Sequence, residues 1–216
     1  MIDEGQGISG PAGVRRLPAS LAGFLSVIMA ACLALGAPAW AVQAGVEVAG
    51  VRFPAQAQVA GNPLVLNGAG LRRILLMKIY AVGLYLPVRM QTPSAILGRD
   101  GPRSMRVTLL RDVSTDENVD ALLDGLVDNN SPAEMAAIQG EVAQFFRLLK
   151  MIHTVPEGTV IQMDYLPGEG THLSVNGVRQ GTIPGSAFNR ALLKIWLGED
   201  PIQTGLKQAL LGLDQG

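Results

Sequence analysis

The stretch LNGAGLRRILLMKIYAVGLYL, Leu66 to Leu86, decides how the chain is read. Gly68-Ala69-Gly70 reads as a glycine-rich turn, Arg72 and Arg73 follow it, and an apolar run closes the segment. From Leu75 to Leu86 both alternating sets of side chains are mostly apolar, as expected of a central strand covered on both faces. Leu75, Met77, Ile79, Ala81, Gly83 and Tyr85 fall on one side. Leu76, Lys78, Tyr80, Val82, Leu84 and Leu86 fall on the other, which carries the polar groups.

Outward from this strand, hydrophobic periodicity orders the rest. Val46 to Phe53 reads as a strand ended by Pro54, and a turn at Gly61-Asn62-Pro63 leads to a short strand, Leu64 to Leu66. A short helix over Thr92 to Leu97, a turn at Arg99 to Pro102 and a strand from Arg103 to Leu110 follow. Ser114-Thr115-Asp116-Glu117 has the form of a capping box and opens an amphipathic helix carrying Val119, Leu122, Leu123, Leu126 and Val127. Ser131-Pro132-Ala133-Glu134 repeats the device and predicts one helix to Met151. Thr159 to Tyr165 is a strand, and Asn176-Gly177 marks a tight hairpin between Thr171–Val175 and Arg179–Ile183. Helices over Ser186 to Leu197 and Pro201 to Leu211 end the chain. Strands and helices in blocks, without βαβ alternation, imply an α+β domain whose antiparallel sheet carries helices on one face.

Composition bounds the possibilities. With 48% hydrophobic and 16% charged residues the chain is a folded globular protein, and 17 basic against 18 acidic residues give no overall electrostatic case for nucleic acid or an anionic membrane surface. Met1 to Ala41 reads as a signal peptide: Arg15-Arg16, an apolar stretch from Leu21 to Leu35, and Ala39-Trp40-Ala41 before a cleavage point at Val42. Residues 42–216 then form one domain without cysteine, since Cys32 is the single one, and no membrane span is expected in that mature chain. The alternative is an uncleaved N-terminal anchor. The expected location is the periplasm, or the medium after secretion.

Most catalytic signatures are absent. His153 and His172 lack metal-ligand spacing, and there is no G-x-S-x-G elbow, P-loop or dinucleotide fingerprint. Neither a metal nor a cofactor is expected.

GAGLRR followed by KIYAVGLYL resembles the arginine turn and central strand of the chalcone isomerase-like family, which includes plant chalcone isomerases, plant fatty-acid-binding proteins and bacterial secreted relatives. GVRFP at Gly50 to Pro54, LLRDVS at Leu109 to Ser114, NGVRQGTIPG at Asn176 to Gly185 and ALLKIWLGEDPI at Ala191 to Ile202 are similar to bacterial members. The resemblance implies a curved antiparallel sheet under a layer of helices, with a ligand cleft between them.

It also implies a site. Arg72 matches the family's functional arginine, which holds an oxyanion in the isomerases and a carboxylate in the fatty-acid-binding relatives; its planar, permanently charged fork suits either. Tyr80 matches the strand position where the binding relatives carry tyrosine and the isomerases threonine. In one straight strand Arg72 and Tyr80 would lie ~26 Å apart, so joint action requires a bulge or reversal near Leu75 to Met77. No Gly or Pro stands between them to make one.

Thr115 and Leu122 stand where the isomerases have a tyrosine and an asparagine, and Asn118 replaces a lysine between them. The resemblance therefore implies ligand binding at Arg72, Tyr80, Thr115 and Asn118 without the family's catalysis. The expected ligand is a small apolar carboxylate such as a fatty acid. A dozen buried methylenes would supply roughly 10 kcal/mol before ordering costs, and a charged hydrogen bond about 1.5 to 3 kcal/mol. Leu76, Val82, Leu84, Val119, Leu123, Phe145 and Phe146 are the candidate liners. The alternatives are an isomerase acting on a flavonoid-like enone, and an interaction protein whose cleft is filled. The oligomeric state is not legible.

Overall fold

The computed structural model describes residues 45–151 and 154–213. The expected signal peptide, with Cys32, and His153 lie outside the described residues.

The described residues form eleven strands and six helices. A β1–β2 hairpin (Val46–Val48, Val51–Phe53) precedes β3 (Gln56–Val59), β4 (Asn62–Ile74) and β5 (Met77–Leu86). After α1 (Pro93–Gly98) and β6 (Arg103–Leu109) come β7 (Val113–Ser114) and the helices α2 (Thr115–Asn129), α3 (Pro132–Ala137) and α4 (Gln139–Lys150). β8 (Thr154–Val155) pairs back with β7, and β9 (Val160–Leu166), β10 (Gly170–Val175) and β11 (Val178–Ile183) lead into α5 (Ser186–Leu197) and α6 (Thr204–Leu210). Seven strands form one antiparallel sheet in the order β11-β10-β9-β6-β5-β4-β3. The expected α+β architecture stands.

β5 is central and covered twice, as its two apolar sets require. Val82, Leu84 and Leu86 meet the helices together with Met105 and Val107 of β6. Ala81 and Tyr85 turn the other way, onto Phe53, Val59 and Leu64. Asn176 (φ 48°) and Gly177 (φ 79°) both take the left-handed conformation that the tight β10–β11 hairpin needs.

Four expectations are corrected. Val46 to Phe53 is two strands, not one, because the chain reverses at Ala49-Gly50, both at positive φ. Gly68-Ala69-Gly70 is no turn: it lies inside β4, which continues without a break from Asn62. The two glycines are there because α6 rests on the strand. A Cβ on Gly68 would collide with the backbone carbonyl of Ala209, and one on Gly70 would come within 2.7 Å of Leu206 Cδ1. The helix expected from Ser131 to Met151 breaks at Ile138 (φ −118°, ψ 16°) into α3 and α4. No residue of α3 is fully buried and Met135 alone packs partly on the core, whereas α4 buries Val142, Phe145 and Leu149. Finally, α6 starts at Thr204 rather than Pro201, leaving Gln203 extended (φ −164°, ψ 123°).

The second capping box is present: the Glu134 amide donates to Ser131 Oγ (3.3 Å), and the Glu134 carboxylate accepts the Ser131 amide (2.9 Å). A hydrogen bond from Lys194, then those from Ser131, hold the Glu134 carboxyl down at about 2. The capping box expected at Ser114 includes residues whose side chains lie outside those described.

Asn129 and Asn130 anchor the loop after α2. Asn129 Nδ2 donates to the Asp200 carbonyl (2.6 Å) and its Oδ1 accepts the Asp200 amide (3.0 Å), tying the helix layer to the α5–α6 connection. Among the described residues no helix is long and apolar enough to cross a membrane.

Candidate functional site

The reversal that joint action demanded is a hairpin. Ile74 pairs with Met77, so the chain turns through Leu75-Leu76, and Leu75 (φ 54°) supplies the positive φ that glycine or asparagine normally would. Pairing then skips one residue: Arg72 lies opposite Tyr80, but Arg73 lies opposite Lys78, leaving Ile79 as the extra residue of a bulge in β5. The bulge re-aims the strand so that Ile79 and Tyr80, adjacent in sequence, face the same cavity. Arg72 and Tyr80 are thus cross-strand neighbours rather than the ends of one long strand.

Both side chains stand at one wall of a cavity between sheet and helices. The cavity volume is about 110 Å³, against the ~10–15 Å³ that one water needs, so a chain of several carbons has room. Val107, Leu109, Ile161 and Met163 form the floor; Val119, Leu122, Phe145 and Trp196 form much of the roof. The polar groups gather at the Arg72 end.

Arg72 Nη1 donates to Gln203 Oε1 (3.3 Å) and to the neighbouring Arg73 carbonyl (3.0 Å). Gln203 is held in turn: its Oε1 accepts the Arg73 amide (2.9 Å) and its Nε2 donates to the Leu71 carbonyl (3.4 Å). Among the described residues no carboxylate pairs with Arg72. A guanidinium has five N–H donors, so several remain.

Trp196 Nε1–H donates to the Tyr80 hydroxyl oxygen at 3.0 Å, which leaves the phenolic proton itself available to a ligand. Burial pushes the Tyr80 hydroxyl up to about 12; the Trp196 hydrogen bond and the Arg72 charge only partly oppose it. At neutral pH Tyr80 is a donor. The corner therefore offers a cation and a neutral O–H in apolar surroundings, the mixture that an anion with a hydrocarbon body requires.

The other expected positions divide. Thr115 and Asn118 open α2, but their side chains lie outside the described residues; Val119, the next residue, does line the cavity. Phe145 lines it too. Leu76 does not: the hairpin carries it to the tip, 98% exposed. Val82 and Leu84 lie further along β5 in solid packing, Leu123 faces outward on α2, and Phe146 packs against the core beside the cavity.

Trp196 and Gln203 went unrecognised. Trp196 falls inside the helix expected over Ser186 to Leu197, and the usable signal is its indole N–H, which must find a partner when buried. Gln203 was hidden inside an expected helix, and only the late start of α6 frees it. Among the described residues no cluster of His, Cys, Asp and Glu has the arrangement of a metal site, and His172 of β10 stands 3.1 Å from the Glu169 carboxylate.

No curated protein matches the sequence. Among solved structures, a fatty-acid binding protein from Arabidopsis thaliana shares the fold at a TM-score of 0.57 and 19% identity, over 75% of this chain and 92% of that one. The family model described as chalcone isomerase-like matches residues 45–212, spanning all the elements above. With nearly the whole described domain matched and the curved sheet, helix layer and cleft in place, the chain belongs to the chalcone isomerase-like family.

Proposed function

We propose that this protein is a non-catalytic binder of a small apolar carboxylate such as a fatty acid, with Arg72 as the anchor of the head group and Tyr80 as a second donor. One observation carries the reading: a guanidinium without an acidic partner among the described residues, and a phenol with a spare proton, stand together at the end of an otherwise apolar cavity. Trp196 and Gln203 are positioning residues that hold Tyr80 and the Arg72 region.

The fatty-acid binding protein of the same fold supports a ligand in this cleft. Tyr80 favours binding over proton transfer, because a hydroxyl held at about 12 keeps its proton at neutral pH. The N-terminal segment, with its basic start, apolar stretch and Ala39-Trp40-Ala41, supports export to the periplasm, where such a protein would carry or store its acid.

Native mass spectrometry of protein purified from cells tests the proposal. The expected spectrum contains a co-purified acid that is lost in Arg72→Ala. An empty spectrum that gains nothing when fatty acids are added would overturn it.

A further inference from the structure

The β4–β5 tip carries four consecutive apolar residues to the surface: Ile74 and Met77 are about half exposed, Leu75 is 90% and Leu76 98% exposed. An exposed apolar tip is costly, and this one bears two further local penalties. Leu75 holds a left-handed backbone (φ 54°) that a γ-branched residue takes at a cost and asparagine or glycine would take readily. Arg73 and Lys78, directly opposite in the ladder, place like charges across the strands, which weakens pairing.

Arg111 completes a basic collar, its Nη1 3.0 Å from Met77 Sδ. None of these three cations forms an ion pair among the described residues. The nearest acid in sequence, Asp112, accepts the Glu157 amide through Oδ1. The net charge of −1 conceals this clustering.

We propose that the Ile74–Met77 tip docks into the interfacial layer of an anionic phospholipid bilayer. A convex apolar wedge inserts among acyl chains, whereas a groove would receive a peptide, and a cationic collar at its base meets lipid phosphates. The tip adjoins the cavity, because Ile74 is itself a wall residue. Docking would therefore bring the cavity entrance to the membrane surface, where an apolar acid could pass between them without crossing water. This use of docking rests on the proposed ligand, but docking itself is measurable with no acid present.

The test places an environment-sensitive fluorophore on the thiol of Leu76→Cys in a full-length Cys32→Ser background, with Gln58→Cys at the opposite end of the sheet as control. Vesicles of phosphatidylcholine with one third phosphatidylglycerol should shift the tip probe to the blue and expose it to quenchers on the acyl chains, leaving the control unchanged. Pure phosphatidylcholine should act more weakly, and reversing Arg73 or Lys78 to Glu should weaken binding roughly fivefold or more for each cation. Leu75→Asn in the same background suits the backbone and should fold at least as well, yet reduce docking. A tip probe that stays in water with anionic vesicles overturns the proposal. So does a blue shift that needs only higher protein concentration, which would make a second copy the occupant. Loss of the acid in Arg72→Ala with an unshifted tip probe would retain the ligand reading and reject docking, so the two fail separately.

Discussion

The two faces of β5 begin from the same kind of sequence and end differently. On one side Ala81, Gly83 and Tyr85 are packed solid: Phe53 lies so close over Gly83 that an added Cβ would come within 2.6 Å of its ring, and Arg106 stacks 5.4 Å from the Tyr85 ring centre. On the other side Tyr80 and the neighbouring strands leave a hollow under the helices. A well-packed interior ordinarily closes such space, because each missing contact forfeits dispersion energy. One face stabilises the sheet; the other gives up part of that gain and leaves a cavity open.

That contrast can be broken from either side. Phe53→Ala should cost about 3 to 5 kcal/mol in denaturant unfolding, since it empties a fully packed site. Arg72→Ala should barely change stability but weaken binding of an apolar acid by about 10- to 150-fold, the worth of roughly 1.5 to 3 kcal/mol for a charged hydrogen bond, as read by calorimetric titration. Arg72→Lys should fall between, keeping the charge but losing the fork.

The pH dependence follows from Tyr80. Burial raises its folded pKa from 10.0 to about 12, so the folded chain holds this proton more tightly than the unfolded one. Ionising the buried hydroxyl therefore costs the folded chain on the order of 3 kcal/mol: its stability is unaffected below about pH 10 and falls as pH climbs through about 12. Tyr85 and Tyr165 are also raised by burial, so absorbance at alkaline pH should show all three tyrosines of the chain ionising late, and Tyr80→Phe should remove its share of the unfolding slope.

Ile161→Phe sharpens the comparison, because it adds volume where there is room. It should cost less than about 1.5 kcal/mol, in contrast to Phe53→Ala, while abolishing acid binding. The smallest effect belongs to the tip: Leu75→Gly should stabilise the fold by less than about 1 kcal/mol, the relieved strain minus the entropy glycine loses, seen as a small rise in the thermal midpoint.

Local rules reached far into this fold. The Asn176-Gly177 hairpin, the Ser131 capping box and the limits of α5 follow from short-range chemistry that acts within a few residues. Gly68 and Gly70 defeated the same rules, since a glycine that makes a turn and one that admits a helix look identical in sequence; only α6, some 140 positions away, distinguishes them. The site was legible in its parts. Arg72 and Tyr80 could be named, but their meeting depends on a reversal at Leu75-Leu76, where two leucines carry no turn signal and tertiary pairing overrides propensity.

By itself the sequence determined which residues are apolar, where a cation and a phenol stand along the chain, and that strands and helices come in blocks suited to a two-layer α+β domain. Those features are set by composition and by periods of two and 3.6 residues. Only the tertiary structure decided that Arg72 and Tyr80 face each other, that Trp196 and Gln203 brace their corner, and that the space beside them stays open. Each of these depends on contacts between segments distant in sequence, and no local pattern encodes which distant partner will arrive.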